Sequence, residues 1–186
     1  MKSRDSKKDD RLFETASSQG GYFTAQQALS AGYSKRLQHY HRERGHWLLI
    51  EHGLFRLRNF PPGRWEDLIR WSLWSRNQKG QPQAVVSHKS AALFHELADY
   101  LPMKVHLTVP PGFRKPVPEG CIFHKARISP RETEAQQGFR VTTPYRTLQD
   151  LRQAAGERER WAHAVEDAAK RGLITRTQEN SLRKAA

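Results

Sequence analysis

The stretch that decides the fold runs from residue 24 to residue 45: Thr24-Ala25-Gln26-Gln27-Ala28-Leu29-Ser30-Ala31-Gly32-Tyr33-Ser34-Lys35-Arg36-Leu37-Gln38-His39-Tyr40-His41-Arg42-Glu43-Arg44-Gly45. Thr24 is a helix cap, its hydroxyl able to take an amide hydrogen of the first turn that has no partner within the helix. Gly32-Tyr33 turns the chain, Ser34 caps a second helix from Lys35 to about Arg44, and Gly45 ends it. Two short helices joined by a three-residue turn spell a helix-turn-helix.

Working outward, Asp9-Asp10 can cap a helix over Arg11–Gln19 with Leu12, Phe13 and Ala16 as its apolar stripe, and Gly20-Gly21 stops it. Tyr22-Phe23 is a short extended piece. Downstream, Trp47-Leu48-Leu49-Ile50 and Leu54-Phe55-Arg56-Leu57-Arg58 flank the turn Glu51-His52-Gly53, the pattern of a β-hairpin. Helix, short helix, turn, helix, hairpin is the order of a winged helix-turn-helix, expected over residues 11–60, with residues 1–10 a mobile N-terminus.

The helix from Lys35 has side chains suited to a DNA groove. Lys35, Gln38, His39 and Arg42 are expected on one face, with Leu37, Tyr40 and His41 toward the other. Gln and Arg can read adenine and guanine edges bidentately, and Lys35 suits phosphate. Ser34 and Arg36 sit where exposed backbone amides also favour phosphate. In the hairpin, alternation places Arg56 and Arg58 opposite the core, on a wing suited to the backbone or minor groove. The competing reading is a merely solvated basic face, and the order of elements argues against it.

Pro61-Pro62-Gly63 reads as a linker into residues 61–186. Trp65–Gln78 is an amphipathic helix carrying Leu68, Ile69, Trp71, Leu73 and Trp74. Ala84–Val86, Lys104–Val109 and Cys121–His124 are strand candidates, and Ser87 starts a helix through Leu97. Thr143 caps a helix with Pro144 at its first position, and further helices follow at Glu157–Arg171 and from Thr175. The expected fold class is α+β: an N-terminal winged helix-turn-helix followed by a mixed α/β C-terminal domain with a small sheet, three- or four-stranded, covered by helices.

Composition sets bounds on function. The 186 residues hold 32 Lys and Arg against 19 Asp and Glu, a formal charge of +13 that points to a polyanionic partner. The excess is spread along the chain, not gathered in a tail. No apolar run approaches the ~20 residues of a membrane span, and no signal peptide is visible. With a single Cys121, read as a core residue, these features lead us to expect a cytoplasmic protein without membrane contact. Nine histidines show no zinc-ligand spacing, although His106 and His124 can pair across a sheet. There is no Gly-rich phosphate loop or nucleophile elbow, and the strand segments carry no acid for a metal-dependent nuclease. No catalytic residue, metal or cofactor is expected, and the chain reads as a non-enzyme.

Several motifs resemble the AbiEi antitoxin family, the regulator halves of abortive-infection toxin–antitoxin pairs. They are Gly21-Tyr22-Phe23-Thr24-Ala25-Gln26-Gln27-Ala28, Gly32-Tyr33-Ser34 and Gly53-Leu54-Phe55-Arg56-Leu57 in the winged part. Ser87-His88-Lys89-Ser90-Ala91-Ala92-Leu93, Val105-His106-Leu107-Thr108-Val109-Pro110 and Val141–Leu151 look like the family's C-terminal domain. The resemblance implies an autorepressor binding double-stranded DNA at its own operon, and inverted-repeat operators suit such domains. It also implies an antitoxin counteracting a nucleotidyltransferase-type toxin. Carried over by position, the DNA-binding candidates are Thr24, Ser34, Lys35, Arg36, Gln38, His39 and Arg42, with Arg56 and Arg58 in the wing. The alternatives are a nucleic-acid-targeted enzyme with a nuclease-related C-terminal domain, and a winged-helix transcription factor with no antitoxin role.

Overall fold

The computed structural model describes residues 4–152 and 157–184. The chain divides into two compact units: Met1–Gln83 with Gln137–Phe139, and Ala84–Gln136 with Arg140–Ala186. The first unit therefore extends past the Pro61-Pro62-Gly63 boundary that composition suggests. Among the described residues no helix is long and apolar enough to cross a membrane.

The first unit opens with α1 (Arg4–Ser17), which begins well before the Asp9-Asp10 cap. What secures its early turns is tertiary contact, not an apolar stripe: Tyr33 donates its hydroxyl hydrogen to Asp9, and the Lys8 ammonium lies 5.3 Å from the Tyr33 ring centre. Gly20 and Gly21 leave the helix at φ +61 and +87, and a side chain at Gly21 would meet the Phe60 ring at 2.5 Å. Then come β1 (Tyr22–Thr24), α2 (Ala25–Ala31) and α3 (Lys35–Glu43). The hairpin strands β2 (Trp47–Glu51) and β3 (Leu54–Leu57) follow. All pairings are antiparallel in the order β1-β3-β2. Leu12, Ala16, Phe23, Ala28, Ala31, Tyr33, Trp47 and Phe55 form one core beneath the three helices. The unit is a winged helix-turn-helix with one addition, α4 (Glu66–Trp74), which packs on β1.

The second unit contains β4 (Val85–Val86), α5 (His88–Phe94), β5 (Val105–Val109), β6 (Cys121–Lys125), β7 (Thr133–Gln136) and β8 (Phe139–Thr142). Helices α6 (Pro144–Leu151), α7 (Arg158–Lys170) and α8 (Arg176–Lys184) complete it. The sheet has five strands in the order β6-β5-β4-β8-β7, one or two more than expected. Strand β4 runs antiparallel to β5 and parallel to β8, and β5 runs parallel to β6. Leu97, Tyr100, Leu148, Leu151, Trp161, Val165 and Leu182 pack the helical core, where the Trp161 indole donates to the Leu148 carbonyl at 2.7 Å. Ser87 stands at the start of α5 but forms no cap bond, since its hydroxyl accepts from Thr108 at 2.8 Å.

Candidate nucleic-acid interface

Helix α3 is capped as its sequence dictates, the Ser34 hydroxyl accepting from the Leu37 amide at 3.3 Å. Its inward side is fixed by three residues. Tyr33 is buried edge-on against Trp47 at 5.0 Å between ring centres, and His41 stacks on Trp47 at 4.9 Å. Burial, reinforced by neighbouring His46, holds the His41 imidazole below its ordinary pKa, so it packs as a neutral ring. Gln38 completes the seat: its amide donates to the Ala25 carbonyl at 3.1 Å and the Tyr33 carbonyl at 3.0 Å.

The outward side follows from 3.6 residues per turn. Lys35, His39 and Arg42 form one row at i, i+4 and i+7, and Arg36 and Tyr40 form a second beside it. All five are exposed, as is Ser34. Arg42 lies 3.0 Å from His39 Nδ1 and pairs with Glu43 at 2.9 Å, so one acid partly offsets the cations of this face. Arg44, just past the helix, sits 5.5 Å from the Tyr40 ring centre. The face as a whole is cationic and uncovered within its unit.

Three sequence-based assignments are corrected, and the place of a fourth, Arg58, is shifted. Thr24 is 2% exposed and closes a capping box with Gln27, so it is enclosed in the α2 cap. Gln38 is 6% exposed and bonded to backbone on both sides, because its angular position falls just inside the buried arc. Arg56 is 8% exposed: it donates to the Pro61 carbonyl at 3.0 Å and to Glu66 at 2.7 Å, since α4 covers the sheet face that the hairpin alone would leave open. Arg58 is exposed but lies at the opposite end of β3 from the hairpin turn, with its Nε donating to the Gly45 carbonyl. The turn itself exposes His52, and its carbonyls are held by Arg76 at 2.9 Å. Tyr40 reverses in the other direction: expected on the core side, it is 47% exposed.

In the second unit the parallel neighbours β5 and β6 bring His106 Nδ1 to 3.1 Å from His124 Nε2, the cross-sheet pair that the strand assignments allow. His88, at φ +50, stacks on His124 at 3.4 Å and joins a cluster that spacing alone did not reveal. The planes lie within 17° of parallel between neighbours, so the rings stack instead of converging on a point. Burial first, then mutual repulsion, pushes the imidazole pKa down to about 3 for His88 and about 4 for His106.

No curated protein matches the chain. Residues 10–58 match the family described as "Transcriptional regulator, AbiEi antitoxin", a segment that reaches from α1 to the residue after β3 and covers about a quarter of the chain. The match contains the helix-turn-helix, the hairpin and every residue of the cationic face. Over residues 10–58 the chain is therefore similar to the AbiEi antitoxin family of transcriptional regulators.

Proposed function

We propose that the protein is a sequence-specific double-stranded-DNA-binding repressor of its own operon, with α3 lying in the major groove. The reading rests on the row Lys35–His39–Arg42 with Arg36 beside it, uncovered on a helix whose reverse side is locked by Gln38, Tyr33 and His41. Such a helix presents its cations on a backbone already fixed, which lowers the ordering cost of association. Lys35 and Arg36 meet phosphate, Arg42 reads a base edge on giving up Glu43, and Tyr40 packs beside them. The second unit serves as the antitoxin part that counteracts a nucleotidyltransferase-type toxin, and the protein works in the cytoplasm.

Fluorescence anisotropy on the DNA upstream of its own gene, at two salt concentrations, tests this. Affinity should fall steeply with salt, and Lys35→Ala with Arg36→Ala should flatten the logarithmic slope by roughly 0.9 for each phosphate left without its cation. Affinity that ignores salt, or is unchanged in that double variant, refutes the assignment. Co-expression with the neighbouring reading frame tests the antitoxin role: growth rescue by the full chain but not by residues 1–83 supports it, and no rescue leaves a regulator alone.

A further inference from the structure

The winged unit contains an open-sided groove of about 800 Å³ that the DNA-binding reading does not use. One wall is α1, where Phe13 and Ser17, one turn apart, face the groove. The opposite wall is the chain leaving β3, with Leu57 and Phe60. Phe13 is 57% exposed, a large cost for a ring with no covering element, and its ring centre lies 6.5 Å from that of Phe60 across the groove. The floor and walls are thus mainly apolar.

The lining also carries the polar side chains of Ser17, Arg44, His46, Arg58 and Asn59, and its two arginines give it a positive sign. Arg44 follows α3, and Arg58 is held beside it by its bond to the Gly45 carbonyl, so both arginines contribute to the lining. Among the described residues no carboxylate lines the groove. Arg58 engages Gly45 through Nε and keeps its outer nitrogens for a further acceptor. On the α1 wall the Ser17 hydroxyl is buried and has no hydrogen-bond partner. A concave apolar space within the ~300–1,000 Å³ range of small-molecule sites, with a few polar groups fixed at its margin, has the anatomy of a ligand pocket and not of a flat protein-docking surface.

We propose that this groove binds a small amphiphilic anion, an apolar body ending in a carboxylate or sulfonate, with the body between Phe13 and Phe60 and the anionic end on Arg44 and Arg58. Guanidinium groups hold such ends by paired, charge-assisted hydrogen bonds, and the apolar walls supply the area that makes the binding measurable in water. The site is independent of the DNA reading: it needs only the winged unit to be folded.

Isothermal titration of the full chain with decanoate, below its micellar concentration and without DNA, tests the proposal. The expected result is one saturable site per chain, displaced by the fluorescent sulfonate anilinonaphthalene sulfonate. Decanol, which keeps the body and loses the charge, should bind at least about tenfold more weakly, as should decanoate to Arg58→Gln and Phe13→Asp. Both positions are exposed, so thermal melting should find the variants folded, and Ile122→Ser in the other unit should bind as the parent does. No saturable site for decanoate, equal affinity for decanol, or unaltered binding in Arg58→Gln and Phe13→Asp would each overturn it. So would sedimentation showing a dimer that Phe13→Asp dissolves, because a second copy would then fill the groove.

Discussion

Gln38 and Arg56 look like DNA ligands in the sequence and are framework in the fold. Gln38→Ala removes two hydrogen bonds to buried carbonyls, and the expected loss is about 1–3 kcal/mol of stability, read as a lower melting temperature. Arg56→Met leaves Glu66 without its guanidinium and should also destabilise the unit, whereas a DNA-contacting arginine would melt unchanged when replaced. A denaturant titration of each variant separates the two roles. Both misreadings have a physical origin. Period-2 alternation correctly put Arg56 on the face opposite Phe55, but it says nothing of whether a helix from further along the chain will cover that face. For Gln38 the error is one of angle: a residue at the margin of a helical stripe belongs to whichever side offers its amide unpaired carbonyls.

Among the elements, α3 was the most legible in its bounds, because its cap and its glycine stop act within one or two turns, while its faces were misassigned at Gln38 and Tyr40. Lys35→Ala with Arg42→Ala should melt like the parent and lose DNA affinity, since neither side chain supports the fold: Lys35 is solvated, and Arg42 bonds only exposed partners, whose pairing is screened by solvent. A melting curve beside an anisotropy titration checks both halves of that statement. The short helix α2 depends on its start, and Thr24→Ala should cost about 1 kcal/mol through the capping box, visible as lower helix content or melting temperature. Strands β7 and β8 escape a reading of the sequence for different reasons. Thr133-Glu134-Ala135-Gln136 is a half-exposed edge strand with almost no apolar residue, so no alternation marks it. Phe139-Arg140-Val141-Thr142 does alternate, but at four residues it is too short to stand out before its β4 partner is known.

At the scale of the whole molecule, acid should weaken the second unit. His88, His106 and His124 are held neutral in the native state, with His88 near about 3 and His106 near about 4, whereas an unfolded imidazole titrates near 6.5. Their folded pKa values are depressed, so the unfolded chain binds more protons below about 6.5. Their contribution is complete above that pH and is lost progressively as pH falls toward 4. The cluster is faced by Arg146 and Lys89, which oppose protonation further, and by Asp150, whose carboxyl burial pushes upward and which acts in the opposite sense. Glu157, beside Lys89, favours protonation of His106, and three depressed imidazoles against these two carboxyls decide the sign. Urea midpoints measured between pH 7.5 and 4.5 should fall with acid, and His88→Asn, a residue that tolerates the positive φ, should show a shallower fall. The mixed α+β class was legible because caps and strand alternation are local signals, whereas the division after Gln83 was not, since Pro61-Pro62-Gly63 lies inside the first unit and the charge is evenly spread. The stacked cluster was not, because it joins residues 88, 106 and 124 through strand order, which no spacing rule encodes.

The clasp of Asp9 and Lys8 on Tyr33 reaches from the first turns of α1 to the residue just before the cap of α3. A clone trimmed to begin at residue 11, the natural economy for anyone who takes that charged leader for ballast, would cut a guy-rope. Helix α3 would still fold but would swing more freely, and under the proposed DNA-binding function its complexes with upstream DNA should dissociate faster in a stopped-flow or surface-resonance trace than those of the untrimmed protein.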